Sequence, residues 1–135
     1  MKSRNLENGK EGQINNLKIL IVEDESTSEM ILSILVESYC KECLIARNGM
    51  EAIQICKNNP NIDLILMDIK MPELDGYEAT KLIREFNKDV IIFAQTAFAL
   101  SGDREKVIEA GCNDYISKPI SQSGLTTLIV KYFNK

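Results

Sequence analysis

The chain contains no histidine. That absence removes the side chain most often used as general base and metal ligand, and it rules out a phosphohistidine on this chain. Long apolar runs are missing as well. None approaches the roughly 18 residues that cross a bilayer, and the N-terminus lacks the apolar stretch of a signal peptide. The expected compartment is the cytoplasm, without membrane contact. Basic residues are scattered, and Lys plus Arg number 16 against 20 Asp plus Glu, for a formal net charge of −4. The positive footprint that nucleic acid demands is therefore absent. Cysteine is sparse. Cys40, Cys43, Cys56 and Cys112 sit in apolar segments, where reduced thiols pack as small hydrophobes. Cys40 and Cys43 do form a C-x-x-C, yet with no histidine and no second C-x-x-C a structural zinc site lacks half its ligands. Packing is the better reading of that pair.

What remains is an ordinary globular composition: 135 residues, 44% hydrophobic and 27% charged, enough for one core and too few for two. Met1 to Asn16 are polar and read as an unstructured tail, a linker or residues left from cloning, ahead of one domain over residues 17–135. From Leu17 onward, short apolar runs alternate with amphipathic stretches. The runs are Lys18 to Val22, Glu42 to Ala46, Leu64 to Asp68, Val90 to Gln95 and Asp114 to Ser117. Rich in Ile, Leu and Val, they read as strands covered on both faces of a parallel sheet.

The intervening stretches have helical spacing. Ser26 with Glu29 has the pattern of a capping box ahead of Met30, Ile31, Ile34 and Leu35, and Asn48 with Glu51 opens a second helix that Asn58, Asn59 and Pro60 end. A third carries Ala79, Leu82, Ile83 and Phe86 as one stripe. A fourth runs from about Ser101 to Ala110 before Gly111, and a fifth from Ser121 to about Phe133 presents Leu125, Leu128, Ile129 and Tyr132. Strict alternation of strand and helix gives an α/β, doubly wound (βα)5 open sheet, a three-layer α/β/α arrangement. Its functional crevice lies beyond the carboxyl ends of the strands.

Polar groups collect at those ends. Glu23, Asp24 and Glu25 follow the first strand, Asp68 closes the third, Thr96 follows the fourth and Lys118 the fifth. Carboxylates gathered on one rim repel each other unless protons or a cation relieve them. Oxygen ligands without His or thiolate favour Mg²⁺, with Mn²⁺ as the related hard ion. Lys118 and Thr96 can hydrogen-bond a phosphoryl group, so the rim reads as a phosphate cradle whose nucleophile is a carboxylate.

The stretches VEDE, LMDIKMPELDGYEAT, QTA and YISKPI, in this order over Leu17 to Phe133, resemble the response-regulator receiver family of two-component signalling. The flavour is closest to receivers of hybrid sensor histidine kinases. The resemblance implies a flavodoxin-like sheet of order 2-1-3-4-5. It makes Asp68 the phosphoacceptor. Glu23, Asp24 and Asp68, with the backbone carbonyl of Lys70, become the metal ligands. Thr96, Lys118 and the backbone N–H of Ala97 become the groups on the phosphoryl oxygens, and the resemblance makes Tyr115 the aromatic that moves with Thr96. It also implies a constrained, cis Lys118–Pro119 bond. Glu23 stands where many members carry Asp, and its longer reach leaves room for a water. Lys70 and Phe98 occupy the positions that tune phosphoryl lifetime, with bulky Phe98 placed to hinder in-line water.

The implied partners are a histidine kinase or a histidine phosphotransfer domain as donor, and a downstream protein on the face of the fourth helix, fifth strand and fifth helix. Dimerisation is left open, as is the choice between a stand-alone regulator and part of a hybrid kinase. A different class, a metal-dependent phosphatase with an aspartyl nucleophile, needs an acid two residues beyond Asp68, where this chain has Lys70. A flavin-binding module of the same topology needs a phosphate loop where Glu23, Asp24 and Glu25 stand.

Overall fold

The computed structural model describes residues 14–97 and 103–134. Its elements are β1 (Leu17–Val22), α1 (Ser26–Val36), β2 (Cys40–Ala46), α2 (Gly49–Asn58), β3 (Leu64–Asp68), α3 (Gly76–Arg84), β4 (Ile91–Thr96), α4 (Asp103–Ala110), β5 (Asp114–Ser117) and α5 (Gln122–Phe133), with a 3-10 turn over Glu37–Tyr39. All strands are parallel, in the order β2-β1-β3-β4-β5. The expected fold class and order are both observed. Among the described residues no helix is long and apolar enough to cross a membrane.

The sheet separates two apolar cores, and strand alternation divides the residues between them. Leu20, Val22, Ile65, Met67, Ile92 and Ala94 face one core with Ala52, Ala79, Ile83 and Val107 of the helices. Leu17, Ile19, Ile21, Leu64, Leu66 and Phe93 face the other with Leu32, Val36, Leu125 and Ile129. Every residue of β1 and β3 is buried, as central parallel strands require. Ile14, within the polar segment by sequence, is buried against the second core; Met1 to Gln13 lie outside the described residues.

Several local expectations need correction. The Ser26–Glu29 capping box does not form. Helix α1 begins at Ser26 itself, its N-cap is Glu25, and no side chain caps it. The helix also turns a different face inward. Leu32 and Val36 are buried, whereas Met30, Ile31 and Ile34 are 61%, 50% and 63% exposed. Helix α3 ends at Arg84 and buries Gly76, Ala79, Thr80 and Ile83, leaving Leu82 and Phe86 38% and 42% exposed. Its start is a full capping box by Asp75 and Glu78, which the sequence reading missed. Asn48 caps α2 as expected, its side chain accepting from the Glu51 N–H. Strand β2 begins earlier than expected, at Cys40, and β4 runs from Ile91 to Thr96. The part of the fourth helix expected at Ser101 and Gly102 lies outside the described residues.

Gly76 decides how α3 meets the end of β3. Its N–H donates to the Ile69 carbonyl at 3.0 Å. A Cβ there would sit 2.3 Å from the Asp68 carbonyl oxygen and 2.8 Å from Ile69 Cα, both backbone atoms that cannot swing aside. Gly76→Ala is therefore expected to lower stability by about 1–3 kcal/mol through overpacking. The urea midpoint reads this directly, and an unchanged midpoint would mean that α3 does not seat against Asp68.

Candidate functional site

Strands β1, β3 and β5 deliver their carboxyl ends to one rim. Glu23 leaves β1 with its N–H bonded to the Ala46 carbonyl at 3.0 Å, and its side chain turns inward to 1% exposure. Asp68, the last residue of β3, is 2% exposed. Asp24, beside Glu23, is exposed. One carboxylate oxygen from each of Glu23, Asp24 and Asp68 lies within 4.8 Å of the others. Lys118 follows β5 through a backbone N–H bonded to the Thr96 carbonyl at 2.8 Å, and the Lys118–Pro119 bond is cis. Its ammonium donates to Asp68 Oδ1 at 3.0 Å and to Glu23 Oε1 at 3.4 Å.

One ammonium does not balance this much negative charge. Burial, then the charge of Asp68, push the Glu23 carboxyl up to about 7, against the opposing pull of Lys118 and of the Glu25 N–H that donates to Glu23 Oε2 at 3.3 Å. For Lys118, burial pulls the ammonium down, but its hydrogen bond to Asp68 and the charges of Asp68 and Glu23 outweigh that and raise it. The donor set is all oxygen, partly buried and short of positive charge, which fits a hard divalent cation such as Mg²⁺ or Mn²⁺.

A cavity of about 600 Å³ opens over Asp68, and Lys70, Thr96, Ala97 and Lys118 line it. The sequence-derived groups other than Tyr115 thus meet either in the carboxylate cluster or in this cavity. Tyr115 stands apart, half-buried in β5 opposite Ala94 and packed on the core that holds Met67. Phe98 lies outside the described residues.

Tyr77, Lys106 and Gln95 are among the residues of the site that escaped the sequence reading. Tyr77 and Lys106 line the cavity from α3 and α4. Gln95, 1% exposed, lays its amide across the sheet, Nε2 donating to the Leu66 carbonyl at 3.0 Å and the Val22 carbonyl at 3.5 Å. It ties β4 to β3 and β1 immediately behind the acidic cluster. Its Oε1 is buried without a hydrogen-bond partner. The available signal was one amide inside an otherwise apolar strand.

Comparison with known proteins agrees with this geometry. The family model described as "Response regulator receiver domain" matches residues 19–130. The polar-differentiation response regulator DivK of Brucella anthropi is 38% identical over 116 residues, covering 84% of this chain and 94% of that protein. Among solved structures, one is a complex of the Saccharomyces cerevisiae histidine phosphotransfer protein Ypd1 with the receiver domain of its downstream response regulator Ssk1. It aligns with TM-score 0.81 and 35% identity over 88% of this chain and 90% of that one. The receiver domain of the Pseudomonas aeruginosa sensor histidine kinase PA1611, with a magnesium ion coordinated in its active-site cleft, aligns with TM-score 0.78 and 33% identity over 89% and 99%.

The raised Glu23 carboxyl has a signed consequence for the metal-free protein. The native state holds this proton more tightly than the unfolded chain does, so its contribution to stability is complete below about 4.5 and is lost as pH rises through about 7. Thermal unfolding in EDTA is expected to show a midpoint falling across that window. Added Mg²⁺ should restore stability above about 7 and do little near 4.5, where protons occupy the site. A magnesium effect of equal size at both ends would place the ion elsewhere.

Proposed function

The chain belongs to the response regulator receiver domain family, and on that footing we propose that it receives a phosphoryl group on Asp68 within a two-component phosphorelay. The observation that carries the assignment is the Lys118 ammonium at 3.0 Å from Asp68 Oδ1, beside carboxylate oxygens of Glu23 and Asp24 within 4.8 Å of the Asp68 oxygen.

The donor is a phosphohistidine of a histidine kinase or a histidine phosphotransfer domain; these 135 residues hold no histidine of their own. The Ssk1 receiver, which pairs with the phosphotransfer protein Ypd1, offers the precedent. An Asp68 carboxylate oxygen attacks phosphorus as the N–P bond of the donor breaks, and the departing imidazole regains its electron pair. Little covalent work falls to the protein, which positions groups and stabilises charge on the equatorial oxygens. Lys118 moves its hydrogen bond from Asp68 to a phosphoryl oxygen, while Thr96 and the Ala97 N–H take the others. Glu23, Asp24, Asp68 and the Lys70 carbonyl would hold Mg²⁺ or Mn²⁺, which supplies positive charge to the phosphoryl oxygens and relieves the carboxylates.

A phosphoryl group adds roughly two negative charges and three strong acceptors. Thr96 is drawn toward it, Tyr115 follows into the vacated space, and the α4–β5–α5 face changes for a downstream partner. Coupling of about 1–3 kcal/mol suffices. Turnover of an external substrate is not expected, because Lys70 stands where an aspartyl phosphatase needs an acid. The chain acts as a cytoplasmic signalling domain with slow self-dephosphorylation.

Incubation with Mg²⁺ and a small acyl phosphate, followed by intact-mass measurement, tests the acceptor. Wild type gains one phosphoryl mass, and Asp68→Asn gains none; labelling of the Asn variant would defeat the assignment. Lys118→Ala is expected to slow labelling by roughly 100-fold or more, as loss of one charged donor at a transition state does. Thr96→Ala should still label, yet lose the amide shift changes that beryllofluoride induces in α4, β5 and α5 of the wild type.

A further inference from the structure

Strand β2 is an edge of the sheet, and it carries one irregularity. Leu17 lies opposite Cys40 and the next residue, Lys18, lies opposite Glu42, so Lys41 has no counterpart on β1. This is a bulge, an extra residue in one strand of the ladder. On a regular strand, residues three apart face opposite sides of the sheet. Here the bulge removes one step of that alternation. Cys40 and Cys43 come to stand opposite Leu17 and Ile19, which share a core, and both thiols pack on that same core. Lys41 and Glu42 between them face solvent.

The spacing suits a bridge. Between Leu17 and Ile19 strand β1 advances two residues, about 6.6 Å at the usual rise. The ladder thus holds the Cys40 and Cys43 Cα atoms near the long end of the range that a disulfide spans, about 4.4–6.8 Å. Both thiols are free and half-buried, and no neighbouring strand covers this edge among the described residues. Burial raises the Cys43 thiol to about 11, with Cys40 the next cause, and burial raises Cys40 as well. Scarce thiolate slows the first attack, but it also withholds the stabilisation that favours a reduced dithiol, so a bridge once made resists reduction.

We propose that Cys40 and Cys43 are a modification site that closes an intrachain disulfide across the bulge, using a low-molecular-weight disulfide as oxidant. The Cys40 thiolate attacks one sulfur of the oxidant, whose S–S bond breaks and releases one small thiol after protonation. Cys43 then loses its proton and attacks the Cys40 sulfur of the mixed disulfide, releasing the second small thiol. Two protein thiols are oxidised by two electrons, and one small disulfide is reduced to two thiols. The bridge would fix the bulge directly after Tyr39, whose hydroxyl is hydrogen-bonded to Thr126 of α5. It lies at the opposite end of the β1–β2 ladder from Glu23, so it stands independently of the phosphoryl chemistry.

The test is incubation of the full chain with oxidised glutathione, alkylation of remaining thiols in denaturant, and intact mass. Wild type is expected to lose two hydrogen masses, carry no glutathione, keep two of its four thiols alkylatable and revert with dithiothreitol. Peptide mapping should place the bridge at Cys40–Cys43, with Cys56 and Cys112 alkylated. Cys43→Ser should instead hold one glutathionyl group on Cys40. A wild type that keeps glutathione on Cys40, forms a disulfide-linked dimer, or retains four alkylatable thiols under conditions that modify Cys43→Ser would overturn the proposal. So would a Cys43→Ser variant that stays unmodified.

Discussion

Two carboxylates held almost without solvent at the end of a parallel sheet are the constraint on which the rest turns. Glu23 and Asp68 are 1% and 2% exposed, and among the described residues the ammonium of Lys118 is the one that pairs with them. Burying like charges together is unfavourable. The sheet nevertheless compels it, because β1 and β3 are adjacent and their last apolar residues are locked in register, Val22 beside Met67. The backbone that carries each carboxylate is thereby fixed at the rim, because shifting it would pull a buried strand out of the core. The strain is relieved by whatever brings positive charge to the rim, a proton or a divalent cation.

The surrounding structure reads as support for that arrangement. Gln95 clamps the carbonyls of Val22 and Leu66, one residue before Glu23 and two before Asp68, so the backbone beneath both carboxylates is held by one amide. Gly76 lets α3 approach the Asp68 carbonyl more closely than any residue with a Cβ would. Lys118 is hung from the Thr96 carbonyl, which couples the position of the ammonium to that of the hydroxyl beside it. On the far side of the sheet from α1, Arg84 donates to the Gly111 carbonyl at 2.9 Å and to Asn113 Oδ1 at 2.9 Å, tying α3 to the turn between α4 and β5.

The strands were legible because a strand buried on both faces has no polar positions to confuse the pattern, and β1 and β3 are such strands. The acidic rim was legible for a related reason: a polar residue directly after such a run must stand at the sheet's edge. Helix α1 was not. It is apolar at Met30, Ile31, Leu32, Ile34, Leu35 and Val36, and no spacing rule chooses a face from a stripe that nearly encircles the helix. Tertiary packing chose Leu32 and Val36. The Ser26–Glu29 pattern misled because a capping box needs its first residue outside the helix, and the turn after Asp24 starts the helix one residue early. The bulge at Lys41 was invisible, since it is a relation between β2 and β1 rather than a property of either.

The same reasoning bears on the proposed switch pair, Thr96 and Tyr115, which stand on two neighbouring strands. Thr96 and Ala94 are both on β4, two residues apart, and therefore point to the same side of the sheet. Ala94 is the residue opposite Tyr115, and Thr96 is the residue opposite Ser117. A ring beside an alanine has room that it would lack beside a larger residue, whereas Phe93, on the other face, is fully buried and packed on Tyr132 at 5.4 Å between ring centres. One face of β4 is thus filled by an aromatic pair that fixes α5 against the sheet. The other carries Ile92, then the smaller Ala94 and Thr96 toward the carboxyl end of the strand, so the motion proposed for Thr96 would reach Tyr115 on the face away from that pair.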